Sequence, residues 1–359
     1  MVRVAHMSDS HIGSTVFQLI ERSEDTRECF RKAVETVLEE DPDILIHTGD
    51  LFDAWEPSNE DMHCVTEVLS QIRERVRVYV VQGNHDLPPG ARRGLSPVRI
   101  LEVAGLIRST GEDIHKRYVE KIGNEVVEVH LISYGRDRDV RAAIDSIKDS
   151  GRTTLVFSHI LPMDEQYLPA HFHYFGYGHK HVFQLDKDAD IGRPGSTCIV
   201  DWSRERGERK MIVIDVDEDG NDYKILSMPD VRPFVYADRI DITGMGAREA
   251  EERVRNSIDR ISSRSWKKPP IVILNVGGMI DSETQYAINR VDLVDYGMKT
   301  LSPLFVHINP MWECHGPRPV TLTDPLDPRR SVEEYVAQTG TGDVEALLSI
   351  LDEVRGVKK

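Results

Sequence analysis

Residues 44–53 read ILIHTGDLFD. The run from Ile44 to His47 predicts a buried strand. Gly49, Asp50, Leu51, Phe52 and Asp53 follow it directly. A glycine at that point lets the backbone turn sharply and approach a ligand closely. The same plan repeats on either side: Val2 to His6 predicts a strand followed by Asp9-Ser10-His11, and Val76 to Val81 a strand followed by Gly83-Asn84-His85-Asp86. Between these strands, Phe30, Ala33, Val34, Val37 and Leu38 mark one apolar helical face, and Met62, Val65, Val68, Leu69 and Ile72 mark another. Such alternation specifies a layered α/β domain.

Further strands are expected at Val126 to Ser133, at Thr153 to Phe157, just before Gly178, and at Met211 to Asp215, with a hairpin turn around Asp219-Gly220. Two prolines between Pro229 and Pro233 suggest a boundary. Beyond it, a second β-α-β-α-β series is expected, with strands at Ala237 to Ile242, Ile271 to Val276 and Leu304 to Ile308. Its helices should run from Ala247 to about Ser262 and around Glu283 to Val294. The proline-rich stretch from Pro319 to Arg330 reads as extended, and Val344, Leu347, Leu348, Leu351 and Val354 mark a short amphipathic helix. The chain is thus expected to divide into a main domain over 1–230, a smaller α/β domain over 231–318, and a linker with a C-terminal helix over 319–359.

With 359 residues, 40% hydrophobic and 30% charged, the composition is that of a globular chain with more than one core. Its 61 acidic residues against 45 basic ones give a formal net charge of −16, which excludes a protein that coats nucleic acid by global charge. Any such contact must be local, as at Arg204, Arg206, Arg209 and Lys210, or at Arg264, Lys267 and Lys268. The scattered Cys29, Cys64, Cys198 and Cys314 read as reduced, packed thiols. No apolar run approaches the roughly 20 residues of a membrane span, and the N-terminus lacks a signal-peptide core, so a cytoplasmic protein is expected.

Chemistry concentrates where strands end. To the three segments above, the chain adds Ser158-His159 and Gly178-His179-Lys180-His181. Open α/β sheets place their sites at such carboxyl ends. Imidazole and carboxylate ligands without thiolate suit Mn²⁺, Fe or Zn²⁺, and abundant oxygen ligands favour manganese. Two ions about 3.5–4 Å apart need a bridging carboxylate, for which Asp50 is the natural candidate. Any one segment alone is ordinarily a turn; five in succession, each supplying a ligand, are not. His171 and His173 suggest structural or supporting roles, and His6, His47, His63, His115, His130, His307 and His315 read as core or surface histidines.

The set DSH, GDLFD, GNHD, SH and GHKH resembles the calcineurin-like metallophosphoesterases. The DSHIGS opening, Tyr177-Gly178-His179 with Pro194-Gly195-Ser196-Thr197, and Arg232-Pro233-Phe234 resemble, within that family, the DNA double-strand-break repair nucleases of the meiotic-recombination-eleven and SbcD group. The resemblance covers residues 1–310 and implies a metallophosphoesterase β-sandwich flanked by helices, with a smaller α/β capping domain. It also implies a DNA exonuclease and endonuclease using two Mn²⁺, with Mg²⁺ or other divalent ions as alternatives. One ion would be held by Asp9, His11, Asp50 and His181, and the other by Asp50, Asn84, His159 and His179. His85 would act on the scissile phosphate and protonate the leaving oxygen. Asp53 stands where many relatives carry a histidine linked to exonuclease-type positioning, which leaves the exonuclease and endonuclease balance open. The family further implies a homodimer, through helices at about 59–75 and 92–106, and an SMC-like coiled-coil ATPase (SbcC-type) bound near Val344 to Val354. Met62, Val65 and Leu69 would either form the dimer seam or pack on their own sheet. Rival functions are a phosphodiesterase for nucleotides or other small phosphodiesters, and a dimeric scaffold for the ATPase.

Overall fold

The computed structural model describes residues 1–90, 94–217, 220–315, 327–339 and 343–354. Arg92, the turn residue Asp219 and the prolines from Pro317 to Pro325 lie outside the described residues. The chain forms two compact units, Met1–Pro233 and Phe234–Lys359.

In chain order the first unit comprises β1 (Val2–Met7), α1 (Ile20–Leu38), β2 (Ile44–His47), α2 (Asn59–Ile72), β3 (Arg77–Val80), α3 (Pro97–Val103), β4 (His115–Ile122), β5 (Glu125–Ile132), α4 (Asp137–Ser146), β6 (Thr153–Ser158), β7 (Tyr174–Gly176), β8 (Gln184–Asp186), β9 (Ile191–Arg193), β10 (Arg209–Asp217) and β11 (Gly220–Met228). One sheet runs β11-β10-β1-β2-β3 and the other β4-β5-β6-β7-β9-β8. Strands β1, β2 and β3 are mutually parallel, as are β5, β6, β7 and β9.

Alternate residues of each strand divide between two faces. Val2, Val4, Ile44, Ile46 and Ile214 meet Val129, Leu131, Leu155, Phe157 and Tyr174 in the layer between the sheets. The opposite face of the first sheet, with Ala5, Met7, Leu45 and Val78, packs on α1 and α2, while Val156 and Phe175 of the second sheet pack with Val140 and Ile144 of α4. The result is a sandwich flanked by helices. Val65 and Leu69 of α2 are buried in this core, with Met62 packed against it, so the apolar face of α2 serves its own sheet.

Strand β4, which the sequence pattern did not disclose, is an edge strand with one exposed face, so charged residues interrupt its apolar alternation. Helix α4 and the three-residue β8 and β9 also escaped the pattern, the strands because they are too short to show a period.

The second unit contains β12 (Phe234–Tyr236), β13 (Ile240–Asp241), α5 (Ala247–Ile261), β14 (Ile271–Asp281), α6 (Ser282–Ala287), α7 (Arg290–Leu301), β15 (Phe305–His315), α8 (Pro328–Thr339) and α9 (Val344–Val354). All its strand pairs are parallel, with β14 central. Of the strand expected at Ala237 to Ile242, only the two residues of β13 form, and β12 lies just before the expected span. The helix expected around Glu283 to Val294 breaks at Ile288, which is extended and buried, and Asn289 then caps α7 by accepting from the Asp292 amide at 3.1 Å. The extended tail expected as far as Arg330 instead enters α8 at Pro328. Proline suits a first helical turn, and the Asp327 carboxylate accepts from the Arg329 amide at 3.1 Å.

Phe157 is fully buried between the two sheets. Phe157→Ala is expected to cost about 3–5 kcal/mol of stability, measured by urea denaturation.

Candidate metal centre

Parallel neighbours direct their carboxyl ends to the same edge, so the segments after β1, β2 and β3 emerge together, as do those after β6 and β7. Backbone hydrogen bonds lock the first two: the amides of Asp9, His11 and Ile12 donate to the carbonyls of Gly49, Asp50 and Leu51, each at 3.0 Å. The Asp86 carboxylate ties in the third, accepting from the amides of Gly83 at 2.9 Å, Phe52 at 3.1 Å and Leu51 at 3.3 Å. The sequence reading gave Asp86 no role.

Two donor groups carry the expected ligands: Asp9, His11 and His181 offer ligand atoms within 4.8 Å of one another, and so do Asp50, His159 and His179, while His11 also meets Asp53 and His85 within that distance. The Asn84 side-chain oxygen joins the second group, 3.0 Å from His159 Nε2 and 3.1 Å from His179 Nδ1. Asp50 Oδ2 lies 3.3 Å from His159 Nε2 and 3.6 Å from His11 Nε2, between the groups. His85 stands beside them, its ring 4.7 Å from that of His11. All eight residues singled out in the sequence therefore converge on one site. Among the described residues, His171 and His173 join no donor group, while His6 and His47 are buried with hydrogen-bond partners.

The donor set fits divalent cations. Asp9 is fully buried, yet its Oδ2 has no hydrogen-bond partner, a costly state for a carboxylate unless a cation completes it. His11 Nε2 and His181 Nε2 face one another at 3.1 Å, as two lone pairs aimed at a common point would. Asp9, His11, Asp50 and His179 all adopt left-handed backbone, with φ of 49°, 41°, 51° and 69°. Such strain persists where the surroundings over-determine it, commonly at functional sites. Gly83 permits the close approach, since a Cβ there would stand 2.2 Å from Asp50 Oδ1.

The family model described as calcineurin-like phosphoesterase matches residues 2–241. The chain belongs to that family. This phosphoesterase is similar to proteins named DNA double-strand break repair protein Mre11. That of Thermoplasma acidophilum is 28% identical over 306 residues, covering 78% of each chain. That of Sulfurisphaera tokodaii is 24% identical over 298 residues, covering 77% of this chain and 74% of its own. That of Saccharolobus solfataricus is 29% identical over 202 residues, or 52% of each chain.

Electrostatics in the phosphoesterase site follow from burying opposite charges together. Burial would raise the Asp50 carboxyl, but the His159 and His11 imidazoles and the His85 amide hold it well below the usual carboxylate range. Burial lowers His11 and His159, yet the neighbouring carboxylates of Asp53, Asp50 and Asp9 prevail, lifting His11 to about 8 and His159 to about 9. Asp86 rises to about 6 through burial and the nearby Asp50 charge.

Of the basic residues proposed for phosphate contact, Arg209 is only 4% exposed and pairs with Glu205 at 2.7 Å. Sequence proximity could not distinguish a buried ion pair from a surface patch. The side chain of Arg204 remains mostly solvent-exposed.

Metal ligation requires neutral imidazoles. Without metal, His11 and His159 hold protons up to about pH 8 and 9, so divalent binding should release protons and tighten from pH 6 to 9. Isothermal titration in buffers of different ionisation enthalpy measures this. Because both folded-state values exceed the ordinary 6.5, their stabilising contribution is complete below pH 6.5 and lost as pH rises through about 8–9. Thermal melts of the metal-free protein should therefore fall across that window.

Proposed function

We propose that this phosphoesterase is a manganese-dependent DNA nuclease, both exonuclease and endonuclease, acting in double-strand-break repair. The observation that carries the reading is Asp50 Oδ2 lying within 3.6 Å of imidazoles from both donor groups, as a shared ligand must. Similarity to the Mre11 repair proteins supports DNA as the substrate. In this reading Asp9, His11, Asp50 and His181 hold one ion, and Asp50, Asn84, His159 and His179 the other. The bound ions would supply Lewis acidity toward the phosphate and activate water for in-line attack.

His85 has a separate task. Its Nδ1 donates to the Asp53 carbonyl at 2.7 Å, which fixes the ring and leaves Nε2 for substrate. The residue is exposed, so a phosphodiester can reach it. When protonated, it would donate from Nε2 to the departing sugar oxygen.

Residues 231–318 would shape DNA access, and 319–359 would engage an SMC-like coiled-coil ATPase. Exposed Ile350 and Val354 on α9 support the second assignment. For a homodimer, the support comes from α3, where Ile100 and Val103 are 47% and 79% exposed with Leu95 nearby at 57%. The described part of the expected 92–106 segment therefore presents apolar surface, unlike α2.

With Mn²⁺, the protein should turn over single- and double-stranded DNA in preference to bis-p-nitrophenyl phosphate. Cleavage of the small diester alone would refute the substrate assignment. His85→Gln should retain both ions by elemental analysis while losing roughly 10²–10⁴ in turnover. Asp50→Ala should lose bound metal, and a variant that keeps two ions would contradict the shared-ligand role.

A further inference from the structure

His181 comes from the segment after β7, and its ring orientation is set by what its other nitrogen touches. Nδ1 lies 3.1 Å from Glu205 Oε1, while Nε2 faces His11 across the Asp9–His11–His181 group. A carboxylate only accepts, so Nδ1 carries the hydrogen and the Nε2 lone pair is left for a metal ion.

Glu205 is itself held rigidly. Its side chain is fully buried, and Oε1 also accepts from the amides of Asp201 at 2.6 Å and Val200 at 3.2 Å. Oε2 accepts from Arg209 at 2.7 Å and from the Ser196 hydroxyl. A buried ion pair contributes little net stability over apolar packing, so folding alone is a poor reason for a charge in this position.

The arrangement distinguishes one donor group from the other. His11 Nδ1 also rests on a carboxylate, Asp53 Oδ1 at 3.1 Å, whereas His159 Nδ1 donates to the Thr48 carbonyl at 2.8 Å. We infer that Glu205 is a positioning residue, fixing the tautomer and orientation of His181 and thereby tightening only the ion held with Asp9 and His11. The inference rests on the two-ion reading above.

Titration of the full chain with Mn²⁺, with bound ion counted by equilibrium dialysis and elemental analysis, separates the two claims. The unmodified protein should bind two ions per chain; if it does not, the two-ion reading itself fails. Glu205→Met should weaken one ion by about 10–100-fold, leave the other unchanged, and refill with excess Mn²⁺. Arg209→Met breaks the ion pair but keeps the carboxylate on His181, so both affinities should stay as in the unmodified protein. The double variant E205M/R209M leaves neither buried charge unpaired and should reproduce the loss, carrying the test if E205M does not fold. The inference is overturned if the unmodified protein binds two ions and removing the carboxylate leaves both equally tight. It is equally overturned if Arg209→Met weakens the same ion as much, because the effect would then belong to the ion pair.

Discussion

Parallel pairing of β1 with β2, of β2 with β3, and of β6 with β7 is the constraint on which the site depends. Parallel neighbours cannot be joined by tight hairpins, so a helix or long connection must carry the chain back each time. Every carboxyl end then opens on the same edge of its sheet. The donors follow these ends within a few residues, which is how positions as distant as Asp9 and His181 offer atoms to one ion. Antiparallel pairing occurs instead at β4, β8, β10 and β11, toward the margins of the sheets, where no ligand is required.

Concentrating buried carboxylates and imidazoles is unfavourable in itself. Left-handed backbone at Asp9, His11, Asp50 and His179 adds roughly 1–2 kcal/mol at each. What offsets these costs is the apolar packing on both faces of the sheets, together with the backbone hydrogen bonds accepted by Asp86 and those between the first two segments, which fasten the loops. The charged groups also stabilise one another: His11 and His159 gain protons from the same field that keeps Asp50 ionised. Divalent cations would replace those protons, so a site strained without metal is organised to receive it.

The second unit shows how backbone needs modify a sequence pattern. Its β-α-β order was legible from periodicity, but the interruption at Ile288 was not, because an apolar residue suits either a helix or a buried turn. Pro328 was read as part of an extended stretch because prolines interrupt helices, yet a proline also suits a first helical turn, and the Asp327 carboxylate beside it accepts from the Arg329 amide there. In the first unit, the apolar stripe of α2 fitted a dimer seam as well as an intramolecular core, and packing assigned it to the core.

Local sequence determined the buried strands, the turns after them and the five ligand-bearing segments, because strand burial and ligand chemistry both depend on residue type over a few positions. The family resemblance singled out the eight candidate residues within those segments. Which donors share a group and the place of Asp50 between them were expectations from ligand chemistry and the family resemblance, to which the tertiary structure adds the distances; it alone revealed that Glu205 and Asp53 stand behind His181 and His11. It also turned Arg209 from a surface candidate into a buried partner. These are relations between side chains far apart along the chain, fixed by strand order and register, and composition or spacing does not encode a distance between segments that meet only on folding.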